Sequence, residues 1–295
     1  MTNARRGLAW AFFGALMSAC FVLPWKQATG FGDPKFVTLV LLAAAAVFNT
    51  LANAVPALRT REEAGRALGP SVRLACVFAV LSLAGNWCSA EAVSRVSSAL
   101  LSVLQRCEVL VVGLLSIALL KERPGRAFWG GAALAGVGLV LLQRPAAGSL
   151  AFDPLGVLFG LGSAASFGTM IVLSRKYIAQ VRPVALNAMR LWLGVALWFV
   201  LERRVPTAAE LPPGLVLNAT LAAFFGPFLS RLGALFSARH IAASTTALAS
   251  LTAPALTLLL AFALLGTLPT AQELVGGGIL LAGIAIPLAA GSRRT

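Results

Sequence analysis

Long apolar segments, separated by short polar connections, follow one another along almost the whole chain. A membrane-spanning helix needs about 20 apolar residues at a rise of about 1.5 Å per residue. The connections carry Gly, Pro and basic residues, which are typical of turns and helix ends. The pattern predicts ten spans, numbered 1 to 10, at residues 7–25, 35–57, 71–90, 93–120, 126–143, 154–174, 184–201, 214–236, 241–265 and 273–290.

Two stretches half a chain apart have nearly the same order of apolar, small and boundary residues. Residues 107–142 and 252–288 align with an offset of 145 to 147 residues in a chain of 295. We therefore expect two five-helix repeats, at residues 1–146 and 147–295. Because five is an odd number, the two halves enter the membrane in opposite orientations. This arrangement predicts an all-α integral membrane protein, with ten transmembrane helices as a 5+5 inverted repeat around a central cavity. Such a protein transports by alternating access, in which the two repeats move against each other.

Composition and charge support a membrane location. The chain is 59% hydrophobic and 12% charged, whereas soluble domains carry roughly 25% charged residues. Fifteen Lys and Arg residues lie on the side of the predicted N-terminus, six lie on the other side, and three lie within spans. Such an excess predicts that both termini are cytoplasmic. Because the basic residues mark the ends of spans and form no single face, nucleic acid is not an expected partner.

Other function classes lack the residues that they need. The four cysteines have no CxxC spacing, so neither a disulfide framework nor a metal site is indicated, and no cofactor is expected. An intramembrane enzyme needs paired aspartates, a metal cluster or a Ser-His arrangement. No aspartate lies within a span, and the one histidine, His240, is at the edge of a connection. A channel would need rings of repeated polar residues, which the sequence lacks.

The first span of each half carries a stripe of small, hydroxylated and large apolar residues at helical spacing. The stripes consist of Gly14, Ser18, Phe21 and Trp25 in span 1, and of Ser163, Phe167, Met170 and Ser174 in span 6. They suit the wall of a lipid-free cavity, and they equally suit close packing of helices through small residues.

Span 4 carries a broader polar face. Its members, within about 120° on a helical wheel, are Ser94, Ser98, Ser102, Gln105, Glu108 and Ser116. Facing lipid would be costly, so we expect this face to point into the bundle. Its serines could line the cavity or form an interhelical hydrogen-bond seam.

Glu108 is the only acidic residue deep within a span. An ionisable side chain at membrane depth is by default a candidate functional group. Arg106 is two residues away on the same predicted helix, so we expect it to point elsewhere. Arg190 and Arg231 are the better partners. Glu108 either takes part in substrate or proton transport, or stabilises the helix bundle through an ion pair.

The six tryptophans lie near span ends or on the faces of the predicted bundle. Most are expected in the aromatic belt at the membrane interface. Trp87 differs, because it stands beside Asn86 near the outer end of span 3, and this pair could instead line a vestibule. Asn86 and Trp87 therefore join the candidate cavity residues.

These features together resemble the ten-helix EamA-type exporters of the drug/metabolite transporter superfamily. That family has an acid–proline pair, an apolar run, a Gly-Glu-Arg turn and a helix with Gly-Gly and Ala-Gly. The first half matches with Glu108-Val109, Lys121-Glu122-Arg123, Gly130-Gly131 and Ala135-Gly136. The second half matches with Ala253-Pro254, Gly266-Thr267, Gly276-Gly277 and Ala282-Gly283.

The resemblance implies efflux of small metabolites across the bacterial inner (plasma) membrane by a protein embedded in the lipid bilayer as a monomer or weak homodimer. Similar family members include exporters of amino acids, among them aromatic ones. The leading hypothesis is therefore secondary-active or facilitative export of amino acids or of similar small amphipathic metabolites. Multidrug or quaternary-ammonium efflux and exchange of nucleotide-sugar-type substrates are the alternatives on the same fold.

Overall fold

The computed structural model describes residues 3–55, 68–93, 95–96, 98–122, 124–143, 153–265 and 270–292, and within these ranges every regular element is a helix. The first half contains span 1 (Asn3–Gly30), span 2 (Pro34–Ala54), span 3 (Gly69–Val93), span 4 (Ser98–Arg106, Glu108–Leu115 and a π-helical segment, Ser116–Leu120) and span 5 (Arg126–Gln143). The second half contains span 6 (Pro154–Tyr177), span 7 (Pro183–Glu202), span 8 (Pro213–Ala223, a π-helical segment, Phe224–Ser230, and Arg231–Ser237), span 9 (Ala243–Ser250 and Thr252–Leu265) and span 10 (Ala271–Ser292).

Ten spans in the described residues confirm the predicted architecture. Eight are long and apolar enough to cross a bilayer, and the apolar helices of spans 5 and 10 are shorter. Large apolar side chains cover the outside of the bundle, and Leu158, Val200 and Leu217 are each more than 60% exposed. A water-soluble protein rarely exposes apolar surface so extensively, whereas a lipid-facing surface requires it.

Aspartate–proline pairs begin two of the spans. Asp33 accepts a hydrogen bond from the Lys35 backbone N–H at 2.8 Å, and Asp153 accepts one from the Leu155 backbone N–H at 2.9 Å. A proline follows each aspartate at the first helical position, where its missing N–H costs no hydrogen bond. The sequence therefore specifies where spans 2 and 6 begin.

Spans 4, 8 and 9 are interrupted, although the apolar pattern predicted continuous helices. Span 8 contains Pro227 within its π-helical segment, and span 9 restarts just before Pro254. A proline lacks the N–H that a regular helix uses, which accounts for the disturbances of spans 8 and 9. In span 4 the break is at Cys107, and Glu108 opens the next helix. A carboxylate is favourable at that position because it faces the positive end of the helix dipole.

The helix contacts reveal the internal two-fold symmetry. Spans 2 and 7 pack together, as do spans 5 and 10, and spans 4 and 9. The contact of span 1 with span 8 is repeated by span 6 with span 3, and the contact of span 4 with span 6 is repeated by span 9 with span 1. Adding five to each span number thus exchanges one half with the other, which is the inverted repeat.

Spans 5 and 10 approach so closely that glycine is required between them. A Cβ atom on Gly138 would lie 2.6 Å from the Gly276 carbonyl oxygen and 2.7 Å from the Leu280 Cα. Backbone atoms cannot move aside for such a methyl group. None of the described residues of this tight pair lines the cavity, which the other eight spans surround.

Candidate functional site

A cavity of about 450 Å³ lies among spans 1, 2, 3, 4, 6, 7, 8 and 9, and the described residues of spans 5 and 10 lie outside it. Its wall combines polar and apolar side chains. The polar ones are Ser18, Asn86, Gln105, Arg106, Glu108, Arg190, Ser230, Arg231, Thr246 and Ser250. The larger apolar ones are Phe21, Leu41, Leu42, Phe167, Met170, Ile171 and Leu191.

The break in span 4 brings two charges together. The Arg106 Nη1 atom lies 3.4 Å from the Glu108 Oε1 atom, and both side chains line the cavity. The prediction that Arg106 points elsewhere was wrong, because it assumed an unbroken helix with 100° between successive residues. With the helix ended at Arg106 and restarted at Glu108, the two side chains point to the same side.

Arg231 is the second positive neighbour of Glu108. The two charges interact across the cavity, and Ser250 of span 9 lies beside the same carboxyl group. The Arg231 guanidinium also sits over the Phe78 ring, with its Cζ atom 5.5 Å from the ring centroid. Two of its nitrogens, Nε and Nη2, are buried without a hydrogen-bond partner among the described residues.

Arg190 is bound differently. Its Nη1 atom donates to the Ser82 hydroxyl at 2.9 Å, and its Nη2 atom donates to the Asn187 amide oxygen at 2.9 Å. Arg190 interacts electrostatically with Arg231, and no direct ion pair between Arg190 and Glu108 is present in the described residues. The cavity therefore contains one arginine fixed by neutral partners and two that share the charge of Glu108.

Most of the predicted cavity residues whose side chains are described come together at this cavity. Its wall includes Ser18, Phe21, Asn86, Gln105, Phe167 and Met170, and also Glu108, Arg190 and Arg231. Phe21, Phe167 and Met170 belong to its apolar part, together with Ile171 and the leucines of spans 2 and 7. The side chains of Ser98 and Ser102, which were predicted to belong to the same wall, lie outside the described set.

Three predicted cavity residues lie elsewhere. Trp25 stacks on Phe21 with the ring centroids 5.5 Å apart. It therefore supports the ring of Phe21, which lines the cavity, without lining the cavity itself. Trp87 is 58% exposed and packs edge-on against Phe159, away from the cavity. Ser163 is fully buried and bonds to the Ser89 hydroxyl at 2.7 Å, so its stripe position serves helix packing.

The sequence patterns did not single out the polar residues Ser230, Thr246 and Ser250, nor Asn187 and Ser82 behind Arg190. Each lies within a predicted span, where a hydroxyl or amide bonds as often to its own helix as to a neighbour. The amide of Asn187, at membrane depth, was the strongest missed signal, because a buried amide needs several hydrogen-bond partners.

On the side of the bundle that holds the described chain ends, Arg175 in the last turn of span 6 joins the connections that follow spans 4 and 8. The Arg175 Nε atom lies 3.5 Å from Glu122 Oε1, and its Nη1 donates to the Ala238 carbonyl oxygen at 2.6 Å. His240 is close to this arginine, and burial, followed by the charges of Arg239, Arg6 and Arg175, lowers the pKa of His240. A neutral histidine here avoids adding a further positive charge.

Comparisons with known proteins agree with this architecture. The sequence profile of the EamA-like transporter family matches twice, at residues 5–144 and 154–288. One solved crystal structure, titled only as that of a protein, superposes with a TM-score of 0.79 at 19% identity, covering 97% of this chain and 98% of that one, and it shares the fold. No curated protein gives a match. With both halves matched, the chain belongs to the EamA-like transporter family of the drug/metabolite transporter superfamily and is a multi-pass membrane transporter of small molecules.

Proposed function

We propose that this transporter exports amino acids with apolar side chains, aromatic ones included, by alternating access as a secondary-active or facilitative carrier. The membrane is the bacterial inner membrane, and both termini are cytoplasmic, which agrees with the excess of basic residues on that side. Residues 1–146 and 147–295 are the two halves that move against each other. The eight spans around the cavity belong to one chain, which supports a monomer as the transporting unit.

The charges in the cavity carry this proposal. Among the described residues of its wall, Glu108 is the acidic one, and the positively charged ones are Arg106, Arg190 and Arg231. A zwitterion satisfies both signs at once, because its carboxylate pairs with arginine and its ammonium pairs with Glu108. Arginine offers a planar fork of donors that matches a carboxylate.

The apolar wall accounts for the side chain of the substrate. Phe21 and Phe167, with Met170, offer aromatic and polarisable surfaces on the cavity wall. The cavity volume of about 450 Å³ falls within the range typical of small-molecule sites, roughly 300–1,000 Å³. An amino acid with a leucine- or phenylalanine-sized side chain suits a cavity of this size and character.

The same charges argue against the main alternative. A quaternary ammonium drug carries a positive charge and no carboxylate, so it would face the three arginines of the wall with only Glu108 in its favour. Like charges brought together in a weakly solvated site repel strongly. Multidrug efflux is therefore the less favoured function of this cavity.

Counterflow in proteoliposomes tests the proposal. Purified protein is loaded with unlabelled compound, and uptake of radiolabelled L-phenylalanine, L-leucine, a sugar, UDP-glucose and tetramethylammonium is compared. We expect exchange of the two amino acids. Arg231→Ala should reduce this exchange by at least about tenfold, since a hydrogen bond to a charged group contributes about 1.5–3 kcal/mol.

Arg126→Ala is the matched control for that variant, because Arg126 is exposed at the start of span 5 and lies outside the cavity. It should leave exchange unchanged. Exchange of tetramethylammonium or UDP-glucose without exchange of amino acids would contradict the proposed substrate class.

A further inference from the structure

Asn187 of span 7 uses both ends of its amide in one buried network. Its side-chain oxygen accepts the hydrogen bond from Arg190 Nη2 at 2.9 Å. Its Nδ2 atom donates to the Asn49 amide oxygen at 2.9 Å and to the Pro227 carbonyl oxygen at 2.8 Å. Asn187 is 1% exposed, so the protein supplies all of these partners in place of water.

The chemistry of the partners determines which way this amide points. Arginine can only donate hydrogen bonds, and a backbone carbonyl can only accept them. If the amide were turned around, its nitrogen would face Arg190 and its oxygen would face the Pro227 carbonyl, and both bonds would be lost. Asn49 is oriented in the same way, because its own Nδ2 atom donates to the Ala45 carbonyl oxygen at 2.8 Å.

The network also joins Arg190 to the irregular part of span 8. Pro227 lies within the π-helical segment Phe224–Ser230, and this segment ends immediately before Arg231. The Arg231 backbone N–H bonds to the carbonyls of Gly226 and Phe228, bypassing that of Pro227. The Pro227 carbonyl is thus available to Asn187, and π-helical segments of this kind are frequent at functional sites.

The symmetry-related span 3 has no such feature. It is one uninterrupted α-helix, Gly69–Val93, and its only proline, Pro70, lies in the first turn. The connection from an arginine through an amide to a π-helical carbonyl is therefore a property of the second half and does not follow from the repeat.

We propose that Asn187 is a positioning residue for substrate recognition, which holds the Arg190 guanidinium toward the cavity at a fixed place relative to the span 8 segment that carries Arg231. The proposal rests on the proposed function, in which the arginines bind the substrate carboxylate. Ser82 positions Arg190 from the other side, through the bond to Nη1. Asn49 supports Asn187 and does not touch Arg190.

The acid-over-amide preference of the reconstituted full-length protein tests this role. Unlabelled L-phenylalanine and L-phenylalaninamide compete against counterflow of radiolabelled L-phenylalanine, and the ratio of their inhibition constants is measured. The two competitors differ only at the carboxyl group that Arg190 would bind. A general loss of stability weakens both equally, so it does not change the ratio.

We expect the wild type to prefer the acid, and Asn187→Ala to lower that preference about tenfold, as the loss of a hydrogen bond to a charged group predicts. Ser82→Ala should lower it in the same direction, and it decides the matter if Asn187→Ala does not fold. Asn49→Ala is the matched control and should keep the wild-type ratio within about twofold, since its bond is to a neutral amide.

An unchanged ratio in Asn187→Ala, or in Ser82→Ala if the former does not fold, overturns the positioning role. An equal loss of the ratio in Asn49→Ala also overturns it, because the direct bond from Arg190 to Asn187 would then not be what sets the preference for the acid. A wild type with no preference for the acid is a different result, since it removes the proposed carboxylate recognition itself and with it this inference.

Discussion

Spans 4 and 9 are equivalent by symmetry and are broken at the same level, yet only one of them carries charge. Span 4 is interrupted at Cys107, between Arg106 and Glu108, and span 9 is interrupted at Leu251, between Ser250 and Thr252. At the break, span 4 brings an ion pair to the cavity wall, whereas span 9 contributes the hydroxyl of Ser250. The backbone thus repeats the interruption, and the side chains have diverged.

The two symmetry-related helix crossings differ in a similar way. Where span 1 crosses span 8, Gly14 and Gly233 bring the two backbones into contact. Where span 6 crosses span 3, Ser163 and Ser89 share a hydrogen bond of 2.7 Å, and Gln105 of span 4 donates to Ser89 at 2.8 Å. One crossing is held by close packing and the other by hydroxyls, so the two halves respond differently to substitution.

Neutralising the charged break should have the largest effect. Glu108→Gln leaves Arg106 and Arg231 in the cavity without their acid. Loss of one partner of a buried pair lowers the free energy of unfolding by about 3–5 kcal/mol, and amino-acid affinity should fall by at least about tenfold, because the substrate ammonium loses a charged partner that contributes about 1.5–3 kcal/mol. If the carboxyl also carries a proton, the pH dependence of uptake into proteoliposomes disappears in this variant.

Glu91→Gln is the matched control, because Glu91 pairs with Arg95 at the exposed end of span 3, where such pairs contribute little. It should transport normally. An active Glu108→Gln protein with the wild-type pH dependence would exclude a proton-carrying role for the carboxyl group.

Adding a methyl group at the glycine crossing should have the next largest effect. In Gly233→Ala the new Cβ would lie 2.8 Å from Gly14 Cα and 2.9 Å from the Trp10 carbonyl oxygen. Both are backbone atoms, so the helices must separate, at a cost of about 1–3 kcal/mol. Thermal unfolding of the purified protein in detergent measures this loss.

Gly278→Ala is the control for that change, because nothing lies within 4 Å of a Cβ at this position. It should leave the stability unchanged or raise it by up to about 1 kcal/mol, because alanine favours a helix over glycine. Equal unfolding temperatures for Gly233→Ala and the wild type would mean that the two backbones are not in contact at this crossing.

The hydroxyl crossing should be the most tolerant. Ser163→Ala removes the bond to Ser89, which still accepts from Gln105 and donates to the Gly85 carbonyl. Interhelical hydrogen bonds in membranes average about 0.6 kcal/mol, so the unfolding temperature should change little. The control is Ser166→Ala, since the hydroxyl of Ser166 donates to the Gly162 carbonyl of its own helix and to no other helix in the described part of the chain. A cost as large as that of Gly233→Ala would remove the distinction between the two crossings.

The features that could be predicted from the sequence are those set by local spacing. Ten apolar runs gave ten spans, and the offset of the repeats gave the inverted architecture. Helical spacing also indicated that Phe21 shares a helix face with Ser18, and that Phe167 shares one with Met170. All four residues line the cavity. The unusual acid Glu108 stood out because charge at membrane depth is rare.

The errors came from assuming regular helices and from treating a stripe as a wall. Arg106 was expected to diverge from Glu108, but the break at Cys107 turns both toward the cavity. Trp25 and Ser163 belong to the predicted stripes, but Trp25 stacks on Phe21 and Ser163 bonds to Ser89, so neither lines the cavity. A stripe at helical spacing is wider than the cavity that it faces. Trp87 also lies outside the cavity, on the exposed surface of the bundle.

By itself, the sequence determined that this chain spans a membrane ten times as two oppositely oriented halves, because span length, periodicity and repetition are local properties of a chain. Only the tertiary structure decided which polar groups meet. Residues 49, 187 and 227 are far apart in sequence, and the bonds from Asn187 to Asn49 and to the Pro227 carbonyl exist because spans 2, 7 and 8 pack together. The choice between ion pair, anchor and packing contact depends on distances of a few ångströms between helices, which spacing along one helix does not specify.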